Sequence, residues 1–273
     1  MMDTVLVTGG DGWIGKFCVK ILEDRGYHVI KWKNWYNSYG LANSIMLTHQ
    51  PKYLLHLAWD VTPDIFWANP KNVEWFKRSI SLVTEFQKSG TKVVVAGTCA
   101  ETTNTLYGKC KKALRDILWE YSYITGLELG WGVIFYPYGP YERPEKFIPS
   151  TIISLLGDSK VKVNHPQQMI DFIHVEDVAG ALVTLLESEI SGIFDVGSGD
   201  IRSLKTVSQI IGNELGKADL IEYGDTPFPN FISANPYGLY HELGFKPKYD
   251  LISGIQNTIE FWKDELYACH VSQ

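Results

Sequence analysis

Residues 4–15 read Thr-Val-Leu-Val-Thr-Gly-Gly-Asp-Gly-Trp-Ile-Gly, and this stretch decides the fold. A short apolar run, residues 4–7, leads into glycines spaced as Gly9, Gly12 and Gly15. Helical spacing follows over residues 12–25, with Ile14, Phe17, Cys18, Ile21 and Leu22 on one face. Gly26 stops it, as glycines just past a helix end do. Strand, glycine turn and helix start in that order make a phosphate cradle. The first glycine permits the tight turn, the second lets a pyrophosphate reach the backbone, and the third lets the helix pack on the sheet. The N–H groups of the helix start, here around Trp13 and Ile14, then face the phosphates. The competing reading is an ordinary glycine-rich turn between a strand and a helix.

Further short apolar runs lie at residues 27–32, 53–57, 92–96 and 127–135, with helical patterns between them, notably 72–89 and 107–125. Alternation of this kind predicts a parallel sheet covered on both faces, with right-handed crossovers. Pro137, Pro140, Pro144 and Pro149 then cluster where the chain leaves the sheet. The expectation is α/β: a Rossmann-type doubly wound parallel sheet with a smaller, interleaved α/β substrate lobe. Residues 1–136 and 170–197 are assigned to the dinucleotide-binding lobe, and 137–169 and 198–273 to the substrate lobe. Within this, residues 172–187 mark the return to the first lobe.

Composition narrows the function. The chain has 273 residues, 45% hydrophobic and 21% charged, with a net charge of −6. Such a chain carries a sizeable core and has no electrostatic reason to bind DNA or RNA. Lysines gather locally at Lys31/Lys33 and Lys109/Lys111/Lys112, which suits a small phosphorylated ligand or else solvated surface. Cys18, Cys99, Cys110 and Cys269 have neither zinc spacing nor a disulfide pattern, so no metal is expected. The opening residues read as a strand, not as a secretory signal, and no apolar stretch is long enough to span a membrane. The cytosol is the default compartment.

Rossmann-type sites carry an acid about 20 residues beyond the glycines, bonded to the adenosine ribose. Here the second strand ends His-Val-Ile-Lys-Trp-Lys-Asn, with Lys33 about where that acid belongs. A lysine there suits a 2′-phosphate, which favours NADP; NAD stays possible if Lys33 is only a surface residue. Gly97-Thr98 ends the strand at 92–96, and Tyr107 and Lys111 follow at i and i+4 on one helix face. A phenol has an ordinary pKa near about 10. A neighbouring ammonium, together with the positive nicotinamide of the oxidised cofactor, is expected to favour the phenolate and make Tyr107 an acid–base group, with Thr98 polarising the reacting oxygen.

At these residues the chain resembles the extended short-chain dehydrogenase/reductase family of nucleotide-sugar epimerases, dehydratases and ketoreductases. Thr-Gly-Gly-Asp-Gly-Trp-Ile-Gly (residues 8–15) is similar to its glycine loop, and Thr98, Tyr107 and Lys111 to its catalytic set. Phe135-Tyr136-Pro137-Tyr138-Gly139-Pro140 and Asp171-Phe172-Ile173-His174-Val175-Glu176-Asp177 are similar to two further family segments. The resemblance implies cofactor contacts from Gly9, Gly12, Trp13, Ile14, Gly15, Lys33, Leu57, Ala58, Trp59, Gly97, Tyr107, Lys111 and Phe135. It implies substrate contacts from Thr98, Tyr136, Tyr138, Arg143 and Phe147. It also implies a nucleotide-linked hexose as substrate, often a 4-keto-6-deoxy sugar, and a homodimer.

Departures from the family pattern are informative. Ile170 stands where the family has an arginine for the substrate's pyrophosphate, leaving Arg143, Lys146 or Arg202 as stand-ins, or a substrate without a diphosphate. Val133 replaces another family arginine. Dehydratases carry Asp-Glu after the threonine; here Cys99-Ala100 follow, with Glu101 one place late. The resulting first expectation is an NAD(P)-dependent ketoreductase acting at C4. A 4-epimerase with bound NAD is the alternative; a 4,6-dehydratase and a non-catalytic NADP-binding module are weaker ones. His174, Trp59, Trp67 and Trp75 are expected to be structural.

Overall fold

A computed structural model describes residues 2–33, 35–37, 41–227 and 233–271. The chain divides into two compact units: residues 1–134, 179–196 and 237–245, and residues 135–178, 197–236 and 246–273.

In chain order the elements are β1 (Thr4–Thr8), α1 (Trp13–Asp24), β2 (His28–Trp32), α2 (Leu41–His49), β3 (Tyr53–His56), α3 (Lys71–Phe86), β4 (Lys92–Thr98), α4 (Leu106–Thr125), β5 (Leu129–Ile134), β6 (Tyr136–Tyr138), α5 (Phe147–Leu156), β7 (Val161–Val163), β8 (Met169–His174), α6 (Val175–Glu187), β9 (Gly192–Val196), β10 (Ile201–Ser203), α7 (Leu204–Leu215), β11 (Ile221–Tyr223) and α8 (Leu251–Val271).

The first unit is built on a six-stranded sheet in the order β2-β1-β3-β4-β5-β9, and every pairing in it is parallel. The cause is visible in the strands. Val5, Leu6, Val7, Leu54, Leu55, Val93, Val94 and Val95 are all fully buried, as a sheet covered on both faces requires. Each such side chain contributes roughly 1.5–3 kcal/mol on burial. The chain reverses direction across the sheet between β1 and β3, and ligands in such sheets bind outside the strand carboxyl ends at that switch. Thr8, the last residue of β1, lies in register with His56, the last of β3. The buried His56 ring bonds Thr8 Oγ1 at 2.7 Å and Ser79 Oγ at 2.9 Å. Burial lowers its pKa to about 3, so it ties strand ends to α3 as a neutral ring.

In the second unit β8 lies between β6, parallel, and β10, antiparallel, while β7 and β11 form a parallel pair. Helices α5, α7 and α8 close a core of Tyr138, Ile148, Ile152, Leu155, Ile170, Val207, Ile211, Ile255 and Ile259. The buried Asp171 carboxylate accepts hydrogen bonds from the N–H groups of Ser198, Gly199 and Ala234.

The lobe boundaries differ from those drawn on the sequence. Residues 170–178 fall in the second unit, because β8 hydrogen-bonds to β6 and β10 instead of joining the large sheet. Residues 237–245 fall in the first unit, where Phe245 packs against Gly180 and Gly238 against Phe194. Among the described residues no helix is long and apolar enough to cross a membrane.

Candidate functional site

The glycine loop is closed by its own backbone. Gly12 N–H donates to Gly9 O at 2.9 Å, and Gly12 is the N-cap of α1, a position that makes no side-chain capping bond. Trp13 and Ile14 open the helix, half-buried. Gly9 has φ +74, and a Cβ there would lie 2.8 Å from Ala58 N. That close approach joins the end of β1 to Leu57 and Ala58, whose N–H groups also bond Thr8 O at 3.1 Å and Thr8 Oγ1 at 3.4 Å. A Cβ at Gly15 would fall on the Gly9 carbonyl oxygen and lie 2.9 Å from Gly10 Cα. Gly15→Ala is therefore expected to open the loop. It should cost about 1–3 kcal/mol of stability, as overpacking does, and remove dinucleotide binding, measured by urea unfolding and calorimetric titration.

Beside the loop is a cavity of about 240 Å³, whose walls include Gly9, Gly10, Gly12, Ala58, Trp59 and Trp75. Asp11, Lys31 and Lys33 share it. An uncapped helix start, a glycine turn and this cavity fit a dinucleotide's phosphates and adenosine. Lys33, expected there, is bound to the Asp11 carboxylate at 2.9 Å.

Thr98 ends β4, and Tyr107 and Lys111 occupy successive turns of α4, whose start is fixed by Thr105 Oγ1 accepting from Gly108 N–H at 3.1 Å. The Thr98 side chain hydrogen-bonds the Tyr107 hydroxyl, and Lys111 lies one turn further along α4. Tyr107 is 8% exposed, with the rings of Phe66, Trp67 and Trp59 at 5.1, 5.8 and 6.2 Å. Lys111 is 4% exposed, donates to Ala96 O at 2.8 Å, and stands 4.2 Å over the Trp59 ring. Burial pushes the phenol up to about 12, with the Thr98 bond only partly opposing, and pushes the ammonium down to about 7. Desolvation is the largest cause of both shifts, opposed at Lys111 by the charge of Glu101.

Sequence reasoning missed the residues that build this surround. Asn72, buried in α3, accepts from Trp59 Nε1 at 2.8 Å and donates to Phe66 O at 2.6 Å and Asn69 O at 2.9 Å. It folds the 59–69 loop over Tyr107. Its only mark in the sequence is an Asn near a proline, which a turn explains equally well. Glu101 is also committed. Its buried carboxylate accepts from Thr98 N–H at 3.2 Å and Trp131 Nε1 at 3.1 Å and pairs with Arg115. Gly97 faces this network, where a Cβ would lie 2.8 Å from Glu101 Oε1.

The remaining expected residues lie in the second unit. Phe135 is buried, and packs near Gly197. Tyr138, expected on substrate, is a core residue: it is 2% exposed, its ring meets Phe172 and His174, and its hydroxyl donates to Leu251 O at 3.4 Å. Tyr136 and Phe147 are half-buried against Phe172, and Arg143 is half-buried. Ile170 is buried; Arg202 stands opposite it in the β8–β10 register and pairs with Asp200 at 2.8 Å. His174 has Asn257 on one ring nitrogen at 3.1 Å and Glu176 N–H on the other at 3.3 Å.

The model of the NAD dependent epimerase/dehydratase family matches residues 5–197. The chain belongs to this family. It is accordingly an enzyme of the short-chain dehydrogenase/reductase type. Among curated relatives, protein CapI of Staphylococcus aureus is 22% identical over 96% of this chain and 99% of its own length. The dTDP-6-deoxy-L-talose 4-dehydrogenase (NAD(+)) of Aggregatibacter actinomycetemcomitans is 25% identical over 74% of this chain and 87% of its own. Among solved structures, UDP-N-acetylglucosamine 4-epimerase from Methanobrevibacter ruminantium M1 superposes with a TM-score of 0.83 at 21% identity, covering 97% of this chain and 100% of that one. The structural likeness agrees with the parallel-sheet fold.

Proposed function

We propose that this enzyme reduces the C4 keto group of a nucleotide-linked 4-keto-6-deoxy sugar with NADPH. The observation that carries the reading is the placement of Tyr107, buried within the rings of Trp59, Phe66 and Trp67 one helical turn before Lys111, where burial favours the protonated phenol. Ketone reduction needs a proton donor at the carbonyl oxygen, and a protonated phenol is one. The bound cofactor supplies the hydride. Thr98 orients the carbonyl oxygen, Tyr107 gives it a proton, and Lys111, titrating near neutrality, restores charge balance beside it. The aromatic rings of Trp59, Phe66 and Trp67 exclude water from the proton transfer. Elimination of water is disfavoured, because Glu101 is already held by Arg115, Trp131 and Thr98. Lys31 and Lys33 line the cavity, and although both pair with Asp11, the trio's net positive charge supports NADPH. The relative named a 4-dehydrogenase of a dTDP-6-deoxy sugar supports the position and the substrate class.

The second reading is a 4-epimerase, favoured by the resemblance in shape to an enzyme so named. Incubation with a nucleotide-linked 4-keto-6-deoxyhexose and NADPH separates the two. Stoichiometric loss of NADPH absorbance is expected; interconversion of C4 epimers with no added cofactor overturns the reductase. We infer further a homodimer, since α3 and α4 expose Val73, Ile117, Tyr123 and Ile124, apolar surface that a helix-bundle contact would cover.

A further inference from the structure

Lys31 and Lys33 do not wait free for a phosphate. Asp11 sits in the glycine turn, and its two oxygens take one lysine each, Lys31 at 3.0 Å and Lys33 at 2.9 Å. Both cations hold the pKa of the Asp11 carboxyl below the ordinary carboxylate value, so it is ionised at neutral pH. All three line the cavity beside the loop, and the Lys31 stem lies against Gly10, its Cγ 3.0 Å from where a Cβ would stand. The trio carries a net charge of one positive, from two lysines and one aspartate. The sequence has no Asp or Glu between β2 and Asp60; the carboxylate paired with Lys31 and Lys33 is borne by the loop.

We propose that Asp11 reads the 2′ end of the cofactor's adenosine, supplying from the glycine loop the ribose-binding carboxylate that β2 lacks and competing with a 2′-phosphate for Lys31 and Lys33. This rests on the NAD(P) site described above. A 2′-hydroxyl is a donor, and the Asp11 carboxylate accepts it. A 2′-phosphate is a monoester bearing roughly −1.5 to −2 charges at neutral pH, by analogy with phosphoserine. It draws both lysines to itself and is repelled by Asp11. The native trio therefore tolerates both cofactors with a muted preference, and Asp11 sets how muted.

Titrations of NAD⁺, NADP⁺ and the fragments 5′-AMP and 2′,5′-ADP, followed by tryptophan fluorescence or calorimetry, test this. Asp11→Asn should tighten NADP⁺ and 2′,5′-ADP about tenfold and weaken NAD⁺, each tenfold being one decade of Kd. Lys33→Gln should do the reverse. Raising salt from about 50 to about 300 mM should erase most of the NADP⁺ gain, because the groups are exposed and screened. Equal changes in both cofactors on Asp11→Asn, or on Lys33→Gln, overturn the inference while leaving the dinucleotide site standing. A native protein that binds neither cofactor overturns both.

Discussion

Replacing Tyr107 by Phe should lower kcat by about three orders of magnitude and leave cofactor affinity nearly unchanged, the range expected for loss of a general acid. The substitution removes one oxygen and keeps the ring that Phe66, Trp67 and Trp59 surround, so the sheath stays packed. It also removes one partner of the Thr98 side chain, whose hydroxyl oxygen still accepts from Ala100 N–H at 3.2 Å. The measurement is single-turnover oxidation of NADPH beside a binding titration. Because the phenol titrates near 12, the native reduction rate should show no limb from Tyr107 between neutrality and mildly alkaline pH. A limb near 7 is expected from Lys111, whose ammonium is lost above that value. Retained turnover in the Phe variant would remove Tyr107 from the chemistry.

Glu101→Ala should be the most damaging change to the scaffold under the site. The carboxylate is 5% exposed and serves three donors: Thr98 N–H, Trp131 Nε1 and Arg115. Removing one partner of a buried ion pair costs about 3–5 kcal/mol, because the other charge is left without its counterion. The Arg115 side chain is 22% exposed and has Asp116 as a second partner, which places the loss at the lower end. Urea unfolding should show the drop in midpoint. Glu101→Gln keeps acceptors for Thr98 and Trp131 and should recover part of the stability. If Glu101 instead acted as an acid, Gln would fold normally and lose turnover completely.

Much of this molecule is legible in its sequence. The glycine spacing, the apolar runs and the i, i+4 pair of Tyr107 and Lys111 are local features, set by backbone conformation and side-chain periodicity. They identify the parallel sheet, the cradle and the family. Spacing also brings Thr98 to the end of β4. It does not place Tyr138, whose aromatic character suits a pocket and a core alike; β8 and α8 closing over it decide for the core. Nor does it place β8, an apolar strand that pairs with β6 and β10.

What tertiary structure alone decides is electrostatic. Asp11 meets Lys33 across 22 positions of chain, Asn72 ties Trp59 to Phe66, and Glu101 meets Trp131 across 30 positions. None of these meetings follows from a period of two or 3.6 residues. Yet they determine whether a lysine is free for a phosphate and whether a phenol keeps its proton. The sequence alone determines where backbone must turn, extend or coil, because those preferences act between near neighbours. The acidity of Tyr107 and the commitment of Lys31 and Lys33 depend on desolvation and charge across distant segments, and only the folded chain brings those segments together.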